Sequence, residues 1–148
     1  MKNFTAMESI HILLVEDNEG DIILTTEALE EGRILNKLSV VRDGREAVDF
    51  LNKDGAFKKA LTPDLILLDV NLPKMNGHEV LRFIKQHEKL KKIPVIMLTT
   101  SSSREDIDNS YQNYANCYIT KPIEVGDFMK AINQIEEFWV NLVKLPSK

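Results

Sequence analysis

Glu16-Asp17, Asp69, Thr99 and Lys121 are the residues of this chain whose types combine into one piece of chemistry. Each stands where an apolar run stops: HILLV before Glu16-Asp17, LILL before Asp69, VIML before Thr99, and CYI before Thr120-Lys121. Three carboxylates brought together repel one another unless a cation joins them. Oxygen ligands without a neighbouring His or Cys suit a hard ion, and Mg²⁺ is the usual choice where phosphate is handled. A lysine opposite them can pair a phosphoryl oxygen as a point charge, and a threonine hydroxyl can donate to another. Phosphoryl transfer depends mostly on positioning and charge neutralisation, so this set is sufficient for it. An aspartate can serve as the nucleophile, forming an acyl phosphate.

Such residues converge only if the chain delivers them to one edge. Four apolar runs read as strands, Ile10–Val15, Leu38–Val41, Leu65–Leu68 and Val95–Leu98, with a shorter fifth at Cys117–Ile119. Apart from the second they are nearly continuous, as expected for parallel strands covered on both faces. Helical segments lie between them. The first runs from about Asn18 to Glu31, with Gly32 as its stop. Asp43 with Glu46, and Asn76 with Glu79, are capping signatures followed by apolar stripes; Ser102 with Glu105 repeats the pattern more weakly. Residues 1–8 read as a loose lead-in and 53–63 as a polar loop. The order is β-α five times over, a doubly wound α/β fold with helices on both faces of one parallel sheet. The ligand site of such a sheet lies beyond the carboxyl ends of its strands.

Composition agrees with a single soluble domain at 148 residues, 43% hydrophobic and 28% charged. A formal charge of −4 disfavours nucleic acid as a partner. One cysteine, Cys117, rules out an intrachain disulfide. No apolar run approaches the roughly 20 residues of a membrane span, and MKNFTAMESI has no signal-peptide core. A cytoplasmic location is expected.

The segments VEDN, LLDVNLPKMNG, IPVIMLTTS and YITKP, in this order, resemble the receiver (CheY-like) domains of two-component response regulators. The resemblance covers about Ile10 to Glu137 and implies a flavodoxin-like (βα)5 fold with strand order 2-1-3-4-5. Carried over by position, it makes Asp69 the phosphoacceptor and Glu16 and Asp17 the acidic pair for Mg²⁺. Asn71 would add its backbone carbonyl to the metal, and Lys121 would contact the phosphoryl group. Thr99 and Tyr118 would be the hydroxyl and aromatic that change position together on activation, and Lys121-Pro122 a cis peptide. NCYITKP followed by IEEFWVNLVKLP is further similar to the small regulators that partner cyanobacterial and bacterial phytochromes. The implied donor is a sensor histidine kinase, in that case a phytochrome.

Other residues fit blander roles. Cys117 reads as a buried packing residue; His11, His78 and His87 share no metal-ligand spacing; Ser102 and Ser103 suit a solvated loop and cap. Asn71 and Ser101 flank the position of a hydrolytic water and would tune the lifetime of an acyl phosphate. The last helix carries a wide apolar face, with residues 128, 132, 135, 139 and 142 in a/d-like spacing. It marks the extension at about 138–148, with Phe138, Trp139 and Leu142, as an interface, either a homodimer or a docking surface, with folding back onto its own domain as the alternative. The function expected is a phosphorylation switch with a protein-binding output. A phosphorelay intermediate and a phosphorylation-independent binding module are alternatives. A phosphatase of the haloacid-dehalogenase kind is disfavoured, because Asp69-Val70-Asn71 lacks the second acid and the chain lacks a cap domain.

Overall fold

The computed structural model describes residues 10–32, 36–100 and 117–131. The expected helix after Ser102, residue Ser101, the lead-in 1–8 and the tail bearing Phe138, Trp139 and Leu142 lie outside these residues. Five strands form one parallel sheet: β1 (Ile10–Val15), β2 (Asn36–Val41), β3 (Leu65–Asp69), β4 (Val95–Thr99) and β5 (Cys117–Thr120). Their order is β2-β1-β3-β4-β5, as the resemblance implied. Three helices have defined ends, α1 (Glu19–Glu31), α2 (Gly44–Asn52) and α3 (Gly77–Gln86); residues 125–131 are helical as well.

Side chains alternate across a strand, and the alternation divides the core into two layers. Ile12, Leu14, Leu65, Leu67, Ile96, Leu98 and Ile119 pack against Ile22, Ala28 and Leu29 of α1 and Phe128 of the last helical segment. Leu13, Val15, Ile66, Leu68, Val95 and Met97 face the other way, against Phe50 and Leu51 of α2 and Val80, Leu81 and Ile84 of α3. Every residue of β1, β3 and β4 is buried, which is why their sequences read as continuous apolar runs. Burial of each Leu or Ile in this set contributes about 1.5–3 kcal/mol.

Helix ends follow the sequence signals with instructive differences. Asn76 and Glu79 form a full reciprocal capping box. Asp43 caps α2 by accepting from the Glu46 amide, but the Glu46 carboxylate turns to the Arg42 amide at 2.7 Å instead of closing the box. Gly32 ends α1 with φ −75°, in right-handed geometry. Its lack of a side chain serves space rather than rotation, since a Cβ there would sit 3.1 Å from Met129 Sδ. The polar stretch after α2 contains a short 3-10 turn, Gly55–Phe57, whose Phe57 ring packs 5.4 Å from Phe50. α1 is poorly amphipathic, and it leaves Ile23 52% and Leu24 42% exposed.

Candidate functional site

Register places the acids and the lysine at one sheet edge. Val15 pairs with Leu68, Asp69 with Leu98, and Thr99 with Thr120. The residues one step beyond these partners, Glu16, Asp69, Thr99 and Lys121, therefore emerge together at the carboxyl ends of the strands. By strand parity Glu16, Asp69 and Lys121 share the face that α1 covers, whereas Thr99 continues the Val95 and Met97 side.

Asp69 is 2% exposed and Glu16 fully buried, whereas Asp17 is exposed. One carboxylate oxygen from each of Glu16, Asp17 and Asp69 comes within 4.8 Å of the others. The Lys121 ammonium lies 3.0 Å from Glu16 Oε1, 2.9 Å from Asp21 Oδ2 and 3.3 Å from Asp69 Oδ2. Its backbone is held too: Lys121 N–H donates to the Thr99 carbonyl at 2.6 Å, and the Lys121-Pro122 peptide is cis. Thr99 is buried at the end of β4. Asn71 is exposed, and its amide donates to Asp69 Oδ1 at 3.2 Å. Tyr118 is half-buried against the core layer under α2 and α3.

Burial and a hydrogen bond shared with Asp69 push the Glu16 carboxyl up to about 7, against the pull of Lys121. Burial alone would depress the Lys121 ammonium, but Asp21, Glu16 and Asp69 hold it above the usual lysine range. Among the described residues, Lys121 pairs with Glu16, Asp21 and Asp69, and Asp17 adds a fourth carboxylate beside Glu16 and Asp69. An excess of negative charge held in oxygen ligands, two of them buried, suits a hard divalent cation, and Glu16, Asp17 and Asp69 are the residues that fit it.

The loop after Asp69 is clamped by close backbone contact. Val70 N–H donates to the Leu98 carbonyl at 2.9 Å, and Gly77 N–H to the Val70 carbonyl at 2.9 Å. A Cβ on Gly77 would fall onto the Asp69 carbonyl oxygen and within 2.8 Å of Val70 Cα. A Cβ on Gly44 would fall onto the Met75 carbonyl oxygen, so the start of α2 braces the same loop. Lys74, at φ 70°, adds an ion pair to Asp43 at 3.6 Å.

Of the residues expected from sequence, Glu16, Asp17, Asp69 and Lys121 meet directly, and Thr99 reaches the same edge. Sequence reasoning missed Asp21, Gly44 and Gly77. Asp21 sits in the first turn of α1, three residues after the capping Asn18, where an acid along the chain reads as a complement to the helix dipole and gives no signal of a contact with Lys121. Nothing local distinguishes Gly44 and Gly77 from ordinary helix-start glycines. Cys117 is buried, its thiol pushed up to about 11 by desolvation, in keeping with packing.

Comparison with known proteins returned consistent matches. The family described as response regulator receiver domain matches residues 12–133. Response regulator Rcp1 of Synechocystis is 46% identical over 136 residues, 92% of each chain. The crystal structure of the Mn²⁺-bound form of Rcp1 superposes with TM-score 0.75 at 45% identity, covering 93% of this chain and 99% of that one. The phosphorylated cyanobacterial phytochrome response regulator RcpA gives 0.77 at 46% identity, covering 94% and 99%.

Proposed function

The chain belongs to the response regulator receiver domain family, and on that premise we propose that Asp69 is the residue on which it accepts a phosphoryl group. One observation carries the assignment: Asp69 is buried, yet its carboxylate lies both in the acidic triad with Glu16 and Asp17 and 3.3 Å from the Lys121 ammonium. The donor in this reading is the phosphohistidine of a sensor kinase. An Asp69 carboxylate oxygen bonds to phosphorus as the bond from phosphorus to the histidine nitrogen breaks, and the imidazole leaves with the electron pair. Lys121 pairs a phosphoryl oxygen, and the Thr99 hydroxyl donates to another. Glu16, Asp17 and Asp69, with the Asn71 carbonyl, would hold Mg²⁺, which would supply charge neutralisation for the transfer. The Mn²⁺-bound structure of Rcp1 supports a divalent ion in this role.

Capture of the phosphoryl oxygens by Thr99 and Lys121, with Tyr118 following Thr99, biases a two-state surface that a protein partner reads. Likeness to RcpA, a phytochrome response regulator, supports a phytochrome as the sensor kinase. The apolar residues Phe138, Trp139 and Leu142 support a homodimer, whereas Phe128, which opens the a/d-like series, packs into the core of its own chain. Intact-protein mass spectrometry after incubation with Mg²⁺ and acetyl phosphate tests the central assignment. Wild type gains one phosphoryl group and Asp69→Asn gains none. An adduct on Asp69→Asn, or none on wild type with either acetyl phosphate or a phosphorylated kinase, would overturn it.

A further inference from the structure

Lys121 has three N–H donors, and three carboxylates stand around them. Two of these, Glu16 and Asp69, have a second use for their oxygens in the acidic triad. Asp21 does not belong to that triad, and it makes the shortest of the three contacts, 2.9 Å from Lys121 Nζ. Its own placement is fixed from the backbone: the Asp21 amide donates to Asn18 Oδ1 at 2.9 Å, which caps α1. Lys121 in turn has a side chain only 7% exposed, against 24% for Asp21. The pair is therefore largely screened from water, where a charge-assisted bond keeps its strength.

We propose that Asp21 is a positioning residue for Lys121, tethering its ammonium beside Asp69 through a carboxylate that is not shared with the metal-binding triad. A lysine is a point charge on a flexible four-carbon stem, with three rotatable donors. With Glu16 and Asp69 as its only partners, the ammonium would lie across the oxygens that the cation needs. Asp21 draws it toward the first turn of α1 and leaves one donor near Asp69 for the incoming phosphoryl oxygen. The proposal rests on Asp69 being the phosphoacceptor and adds a residue to that site. The blander role for Asp21 is complementing the helix dipole in the first turn of α1, and it predicts no dependence on Lys121.

Two measurements separate these roles. The first is NMR of ¹⁵N-lysine-labelled protein without phosphodonor, with the Lys121 ammonium assigned by its loss in Lys121→Met. Its slowly exchanging signal is expected in wild type and in Asp17→Asn, and is lost in Asp21→Asn. Persistence of the signal unchanged in Asp21→Asn would overturn the tether. The second is the rate of phosphoryl uptake from acetyl phosphate. Asp21→Asn is expected to lower the maximal rate about tenfold, on the order of one misplaced charged group, with the half-saturating donor concentration unchanged. Asp21→Glu recovers part of the rate. In a Lys121→Met background Asp21→Asn should cost nothing further, and additive losses would assign Asp21 to the helix dipole instead. If wild type itself takes up no phosphoryl group, the phosphoacceptor reading fails, and the ammonium signal still decides whether Asp21 holds Lys121.

Discussion

Gly77→Ala is the perturbation that most directly tests how the fold holds the phosphoacceptor. The added methyl would meet backbone on every near side: the Asp69 carbonyl oxygen, Val70 Cα at 2.8 Å and the Asp69 carbonyl carbon at 3.0 Å. No flexible side chain can swing away, so either α3 lifts from the sheet or the strand end carrying Asp69 moves. Overpacking of this kind costs about 1–3 kcal/mol. The better helix propensity of alanine returns at most about 1 kcal/mol, and less in a first turn than in a helix interior. A net loss of about 0.5–2.5 kcal/mol lowers the melting temperature by roughly 2–8 °C in a domain of this size. Because the displaced atoms belong to Asp69 itself, phosphoryl uptake should slow as well. Gly126→Ala is the control. Position 126 is helical with nothing within 4 Å of a Cβ, so it should hold or gain up to about 1 kcal/mol. Thermal unfolding followed by circular dichroism, with mass-spectrometric uptake rates on the same samples, gives both numbers. A Gly77→Ala variant within about 0.5 kcal/mol of wild type and phosphorylated at the same rate would refute the argument that this contact seats Asp69.

Other consequences follow from the same geometry. Asp17→Asn removes the exposed member of the acidic triad, so Mn²⁺ affinity by titration calorimetry should fall at least about tenfold; unchanged affinity would remove Asp17 from the site. Ile23 and Leu24 are exposed on α1, the helix whose first turn supplies Asp21 to the site, so Ile23→Glu with Leu24→Glu should slow phosphotransfer from a kinase while leaving uptake from acetyl phosphate near wild type. Equal slowing with both donors would mean damage to the site rather than to a docking face. With its thiol pushed up to about 11, Cys117 should alkylate at pH 8 about a hundredfold more slowly than a free thiol of ordinary pKa. A rate equal to that of free cysteine would show the thiol to be open to solvent. Trp139→Ala should shift a dimer to monomer mass by light scattering, and an unchanged mass would count against self-association through the last helix.

Much of this protein is legible along the chain because its signals are local. The strands of β1, β3 and β4 announce themselves as apolar runs because both their faces are covered. Asn76 and Glu79 specify their helix start through atoms three residues apart. Glu16, Asp17, Asp69, Thr99 and Lys121 stand out because a charged or polar residue directly after a buried strand has a placement that the strand dictates. β2 shows the limit. Asn36 and Lys37 pair with Ile10 and His11 at the sheet edge, but their polarity hides them in a search for apolar runs, so the strand begins two residues earlier than its pattern shows.

Contacts between distant segments were settled only by the tertiary structure. That the Lys121 ammonium takes Asp21 as its nearest carboxylate depends on where α1 starts relative to β5, a hundred residues away. Gly44 and Gly77 look alike in sequence as first helical residues; backbone packing alone shows that each leaves room for the loop behind Asp69. Gly32 stops α1 as its position along the chain suggests, but its right-handed geometry and the clearance it leaves for Met129 emerge only from packing. Residue type and spacing along the chain thus determined which groups reach the sheet edge, because a strand carries its last side chain with it. Which groups touch one another there, and which glycines seat the loop behind them, depended on the packing of helices against the sheet, where distance in space is independent of distance in sequence.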